Sequence, residues 1–339
     1  MKTSLLIGTY TSGGNSKGIY EADFDSDTGA ICNVRLAIAQ QDPSYLALSA
    51  DGNRLYAVME TPCDGRVFSY RRTINGWEQT GSQPSMGEAP CHLLPDEENS
   101  MLAVANYMDG VVSFYPLSED GALTQLPQAV ALDGHGPHPR QECAHAHQCV
   151  KHGESIWVSD LGTDTVRVFE RDGNGRYAQK APLLSTQPGA GPRHLVITAD
   201  GQMLYLLCEL QNIICAYRKT GDGYKEAGRF EYLPEGTNGA AAAAVRLSDD
   251  ERFLFASSRL GFNGVALFEL DPLTRLPNLC GIFPTGACPR DILPAGDYLL
   301  CACQEANLVQ VMRLDRGKKQ LVLLGEAKVP KPVCLIGMG

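Results

Sequence analysis

One pattern recurs six times along this chain and constrains its fold more than any single motif does. A proline or small residue precedes a short apolar run, a tight turn follows, and a second apolar run ends on a polar side chain. Asp42-Pro43-Ser44-Tyr45 leads into LYAVME, ending at Glu60. Ala89-Pro90-Cys91-His92 leads into MLAVANY, and Ala146-His147-Gln148 into IWVSD. Gly191-Pro192-Arg193-His194 leads into LYLLCE, ending at Glu209. Ala242-Ala243-Ala244 leads into FLFASSR, ending at Arg259, and Cys288-Pro289-Arg290-Asp291 into YLLCACQ, ending at Gln304. A third strand-like run follows each pair (RVFSYRR, VVSFYPL, TVRVFER, IICAYRK, VALFELD, LVQVMRL), then a turn-rich outer segment. The units are spaced 46 to 50 residues apart, except for an interval of 56 from Pro90 to Ala146. That interval contains the segment 132–143, rich in Gly, Pro and His, which reads as an insertion loop.

A period of this length with four short strands per unit is the signature of propeller blades. Six blades lie within the chain and its two ends supply a seventh. Lys331-Pro332-Val333-Cys334 repeats the opening of a first strand, Ser4 to Tyr10 reads as a second strand, and Gly18 to Phe24 as a third. The expectation is an all-β, seven-bladed β-propeller with four antiparallel strands per blade. Pairing of the N- and C-terminal strands would close the ring and remove exposed edges. No linker or low-complexity stretch interrupts the repeat, so residues 1–339 are expected to form a single domain. Ala240 to Ala244 has helix-forming composition, but it occupies a first-strand slot and is read as strand.

Net charge is -10, which argues against a nucleic-acid or anionic-membrane partner, since both need a basic face. An anionic small substrate is still allowed, because a local group of arginines inverts the field inside a cleft. No run approaches the ~18 apolar residues of a membrane span, and the N-terminus lacks the apolar core and cleavage site of a signal peptide. The expected compartment is therefore the cytoplasm. The 12 cysteines fit it as reduced thiols, many within apolar runs, with no CxxC pair at zinc spacing.

The repeat register isolates two sets of positions. The residue after each proline equivalent reads Ser44, Cys91, His147, Arg193, Ala243, Arg290 and Val333. The end of each second strand reads Glu60, Asn106, Asp160, Glu209, Arg259 and Gln304. In a propeller, equivalent positions form rings around the axis, and the start of one strand lies beside the end of its antiparallel neighbour. Both rings therefore belong at one mouth of the channel, polar and different in each blade, as expected of a site grafted on a repetitive scaffold. His147, Arg193, Glu209 and Arg259 are the candidate catalytic residues, because a carboxylate and an imidazole exchange protons while arginines hold anions and oxyanions. Glu60, Asn106, Tyr107, Arg290 and Gln304 are candidate substrate contacts. His92 and His194 sit one residue further on and are expected to face away from the axis, by strand alternation. His135, His138 and His145 lie in or after the insertion loop, where their spacing alone is a weak metal signal. A metal-dependent propeller enzyme would need carboxylate and Asn ligands converging on the axis, a role open to Glu60, Asn106 and Asp160. GxxxxGK and the dinucleotide glycine fingerprint are absent, which disfavours nucleotide cofactors, and the GxSxG string at 14–18 runs into a strand-like segment instead of the helix a nucleophile elbow requires, which disfavours covalent serine catalysis.

Over nearly its whole length the chain resembles the seven-bladed propeller lactonases of the bacterial 6-phosphogluconolactonase type, a family that also includes fungal carboxy-muconate cyclising enzymes. LLIGTYT, VANY before a glycine-led strand, HAHQ at 145–148, GAGPRH, the LCEL around Glu209, ASSRL around Arg259 and PRDI at Arg290 carry the resemblance. The resemblance implies that the family's active-site His, Arg, Glu and second Arg fall on His147, Arg193, Glu209 and Arg259. One departure is Gln148, where the family often has Ser or Thr. The expected activity is hydrolysis of a sugar-acid lactone, such as 6-phosphogluconolactone. Glu209 or His147 would act as general base on water, Arg193 or Arg259 would stabilise the oxyanion, and Arg290 with a further Arg would hold the substrate's anionic group. The scheme requires no cofactor and no metal. The expected partner is a small anionic lactone, and closure of the ring points to a monomer. A muconate-type cycloisomerase would use the same residues, and a non-catalytic interaction propeller is the reading from another class.

Overall fold

Seven antiparallel sheets make up the computed structural model, which describes residues 2–221 and 223–338; six have four strands, and in the one that begins at Ala146 two short outer strands, Tyr177–Gln179 and Leu184–Ser185, share the edge of Thr165–Arg171. Six sheets run in chain order, with first strands at Leu46–Leu48, Pro90–Asp96, Ala146–His152, Pro192–Ile197, Ala240–Leu247 and Pro289–Ala295. The seventh is assembled from both ends, in the order Pro332–Met338, Lys2–Thr9, Gly18–Asp25, Ala30–Ala39. The seven first strands touch one another in a closed circle, each packing on the next and Pro332–Met338 packing on Leu46–Leu48. They are therefore the wall of the axial channel. Ala240–Leu247 is a strand, as its place in the repeat requires and against its helical composition. Among the described residues the only helix is a 3-10 turn at Leu161–Thr163, and no helix is long and apolar enough to cross a membrane.

Alternation of apolar residues along the second and third strands fills the spaces between blades. One such cluster joins Leu5, Ile7, Ala22 and Phe24 of the N-terminal strands to Leu300, Ala302, Val311 and Leu335. Ile7 is directly opposite Leu335 in the strand pair that closes the ring. Ile7→Val, which removes one methylene from this contact, is expected to cost about 1 kcal/mol in urea unfolding. A change under a quarter of that would mean the closure is not well packed.

The first strands share two departures from ideal geometry that set up the channel mouth. The residue before the opening proline is left-handed: Asp42, Ala89, Cys288 and Lys331 have φ of 40°, 52°, 60° and 47°. In the GAGPRH segment that position is Gly191, which adopts φ 70° without a Cβ penalty. In every first strand except Leu46–Leu48, a β-bulge comes immediately after the proline or its equivalent. The ladder skips from Pro90 to His92, Ala146 to Gln148, Pro192 to His194, Ala242 to Val245, and Pro289 to Asp291. The skipped residues are Cys91, His147, Arg193, Ala243 with Ala244, and Arg290. A bulge re-aims one side chain out of the alternating pattern, and here it does so at the polar ring positions.

Candidate active site

Glu209 closes the strand Met203–Cys208 and is 1% exposed. Three guanidinium groups surround its carboxylate. Arg193 Nη1 donates to Oε2 at 2.7 Å and Arg259 Nη2 to the same oxygen at 3.3 Å. Arg140 Nη1 lies 2.7 Å from Oε1 as an ion pair, but no aligned hydrogen bond reaches that oxygen. Burial alone would push the Glu209 carboxyl up. Arg193, Arg259 and Arg140 together outweigh burial and hold it well below the usual carboxylate range.

Arg193 is the hub of the assembly. Its Nε donates to the Ala243 carbonyl at 2.5 Å, and its Nη1 also donates to His147 Nε2. Ala243 is a bulge residue of the neighbouring blade, and its small side chain leaves the carbonyl accessible to the guanidinium. His147 is buried and neutral: burial, then the charge of Arg193, drives its pKa well below the ordinary imidazole value. Since Nε2 accepts from Arg193, Nδ1 carries the ring proton, and Nδ1 has no partner. Burial, with Arg193 and Arg290 nearby, brings Arg259 down to about 10, so it remains charged at neutral pH.

These side chains line a cavity of about 420 Å³ together with Glu60, Cys91, Tyr107, Arg140, Leu260 and Arg290. Arg290 donates to the Tyr10 hydroxyl at 2.7 Å and lies 3.8 Å from Glu60, and Tyr10 in turn donates to Glu60 Oε2 at 2.7 Å. Arg140 Nη2 donates to the Tyr107 hydroxyl at 2.9 Å. Four arginines therefore face two carboxylates in this cavity, in a chain whose net charge is -10. A smaller void of about 20 Å³ lies along the axis between His147, Arg193, His194, Ser44 and Tyr45.

The structure brings His147, Arg193, Glu209, Arg259, Glu60, Tyr107 and Arg290 together at this cavity, but not Asn106 or Gln304. Asn106 is fully buried and turned into its own hairpin, donating to the Val111 carbonyl at 2.9 Å. Gln304 donates to Glu305 Oε1 at 2.8 Å. Asp160 is also turned away: it caps the 3-10 turn through Gly162 N and pairs with Arg167 at 3.2 Å. Glu60, Asn106 and Asp160 thus do not converge as a metal set. His92 and His194 do not face away from the axis. His194 lines the axial void, its ring 5.2 Å from that of His147 and 6.1 Å from that of His92. The bulge breaks the alternation and turns two successive residues toward the axis. Gln148 bonds the next blade through Leu195 N at 2.6 Å and is absent from the cavity wall, so the departure at this position alters blade packing. Arg140 was not a ring position and carried no register signal; it is the single cation of the 132–143 loop.

The model of the lactonase, seven-bladed β-propeller family matches residues 4–336. The chain belongs to that family. Among its relatives is a 6-phosphogluconolactonase from Bacillus subtilis, 30% identical over 341 residues that span 97% of this chain and 96% of the relative. The periplasmic gluconolactonase of Pseudomonas aeruginosa superposes with a TM-score of 0.93 at 29% identity, covering 100% of this lactonase and 99% of that chain. A Lactobacillus plantarum protein superposes with a TM-score of 0.92 at 30% identity, over 100% of both chains.

Proposed function

We propose that this lactonase hydrolyses a sugar-acid lactone carrying an anionic group, with a 6-phosphogluconolactone-like compound as the best-fitting substrate. The observation that carries this reading is the excess of four arginines over two carboxylates in a single cavity of an otherwise acidic chain. The name of the Bacillus subtilis relative supports the phosphorylated form.

In this reading Arg140 and Arg290 bind the anionic group. Of the three cations on Glu209, Arg140 is the most exposed, at 43%, against 4% for Arg193 and 10% for Arg259. A substrate anion draws Arg140 off Glu209 Oε1 and uncovers the one carboxylate oxygen that lacks an aligned donor. Glu209 Oε1 then takes a proton from water as the water oxygen adds to the lactone carbonyl. The ring C–O bond breaks, and the departing oxygen recovers the proton from Glu209. Arg259 Nε, buried and without an acceptor, is a donor left for the charge that develops on the carbonyl oxygen. Glu209 is preferred over His147 as base because the Nε2 lone pair of His147 is occupied by Arg193. His147 orients Arg193 instead.

Acid release from paired lactones with and without a 6-phosphate, corrected for spontaneous opening, tests this reading. The wild type is expected to prefer the phosphorylated lactone at least about tenfold in kcat/KM, the worth of one charge-assisted contact. Arg290→Ala is expected to raise KM for that substrate about tenfold and to change KM for the unphosphorylated one much less. Equal effects on both would remove Arg290 from anion binding.

A further inference from the structure

The end of the insertion loop and the residues just after it place three different ligand types together outside the catalytic cavity. The donor atoms of Glu142, Cys143 and His145 all lie within 4.8 Å of one another. His145 Nε2 is 4.0 Å from Cys143 Sγ, a long sulfur contact, and 3.6 Å from Glu142 Oε2, while the Cys143 thiol donates to the Met108 carbonyl at 3.5 Å. The His145 ring is 2% exposed, and its other nitrogen is 2.7 Å from the Tyr107 carbonyl. A carbonyl only accepts, so Nδ1 carries a proton and Nε2 is the nitrogen that faces the thiol and the carboxylate. A backbone carbonyl holding the far nitrogen is the usual support of a metal-bound imidazole.

We propose that Glu142, Cys143 and His145 form a binding site for one divalent cation of the zinc class. Zinc bonds of ~2.3 Å to sulfur and ~2.0–2.2 Å to nitrogen and oxygen place tetrahedral ligand atoms about 3.4–3.6 Å apart. The two separations from His145 Nε2, 4.0 and 3.6 Å, need a contraction of at most about half an ångström, and the Cys143 and Glu142 donors, within 4.8 Å of each other, close the rest by side-chain rotation. The Sγ, Nε2 and carboxylate donors match the mixed ligands zinc accepts, and a fourth position is left for water. On binding, the thiol releases its proton to solvent and coordinates as thiolate, one proton per metal. Glu142 is the exposed ligand and Cys143 is half-buried, so the metal enters from solvent.

The position gives the site a consequence. Arg140 lies two residues before Glu142 and reaches Glu209 and the Tyr107 hydroxyl. The Tyr107 ring stacks on His145 at 4.7 Å. A metal here fastens the loop that carries Arg140 against the wall of the catalytic cavity, whichever lactone is the substrate.

Cobalt titration of the full chain in a phosphine-reduced buffer tests the proposal, read by the thiolate-to-cobalt charge-transfer band and the visible bands of a tetrahedral site. One equivalent is expected to bind, with one proton released. Cys143→Ser should abolish the charge-transfer band, and Glu142→Gln, an exposed change, should weaken binding by at least about tenfold. Cys63→Ser, which removes the exposed thiol elsewhere, should leave the titration unchanged. Absence of the band with cobalt in excess, its survival in Cys143→Ser, or its loss in Cys63→Ser overturns the site.

Discussion

Below about pH 6.5 the fold is expected to lose on the order of 4 kcal/mol of stability for each further pH unit, an effect that comes from three histidines. Burial, then neighbouring arginines, lowers His92 to about 3, while His147 and His194 are also held well below the ordinary imidazole value. The unfolded chain takes up a proton on each ring near pH 6.5, whereas the folded one does not. Below that pH the unfolded state binds more protons, so stability rises with pH and falls as acid is added. Each such ring contributes about 1.4 kcal/mol per pH unit, and the sum of three is an upper value because the rings are mutual neighbours. A domain of ordinary stability, about 5–15 kcal/mol, would then unfold within about one to four units. Glu209 acts in a different window. Its lowered pKa contributes stability that is complete above the unfolded carboxyl value near 4.3 and is lost only below it. Urea midpoints at pH 7.5, 6.5 and 5.5 separate the two. A steep drop across this range, made shallower by His92→Gln, is expected; a flat profile would mean the rings accept protons inside the fold.

Arg193→Lys is expected to lower kcat/KM for lactone opening by about 10²–10³, equivalent to roughly 3–4 kcal/mol of transition-state stabilisation. The guanidinium reaches three acceptors on three blades, the Ala243 carbonyl, Glu209 Oε2 and His147 Nε2. An ammonium keeps the charge but cannot span that fork. Stability should fall far less than activity, by about 1–3 kcal/mol, because Arg259 and Arg140 still neutralise Glu209. A variant within about threefold of wild-type activity would show that the fork is structural.

The ring of polar positions was legible because the proline-led repeat sets a register that six blades share. That register found His147, Arg193 and Arg290, although the property that aims them, the bulge, leaves no mark in the sequence. The same omission explains His92 and His194, placed by simple alternation on the wrong side of their strands. The second ring was read less well. A polar residue at a strand end either faces the axis, as Glu60, Glu209 and Arg259 do, or ties its own turn, as Asn106 does with Val111 and Asp160 with Gly162. Those outcomes differ only in rotamer and turn geometry. Arg140 comes from a loop outside the repeat and could be placed only by the folded chain.

If the arginine-clamped Glu209 and its neighbours form a lactone-opening site, catalysis must depend on the Arg193 fork. The deciding measurement is the initial rate of acid release from 6-phosphogluconolactone, with the spontaneous rate subtracted, for the wild type and Arg193→Lys at matched folded concentration. The expected result is a rate proportional to wild-type protein that falls by about two to three orders of magnitude in the variant. A wild-type rate no greater than the spontaneous one, or equal rates for the two proteins, would contradict it.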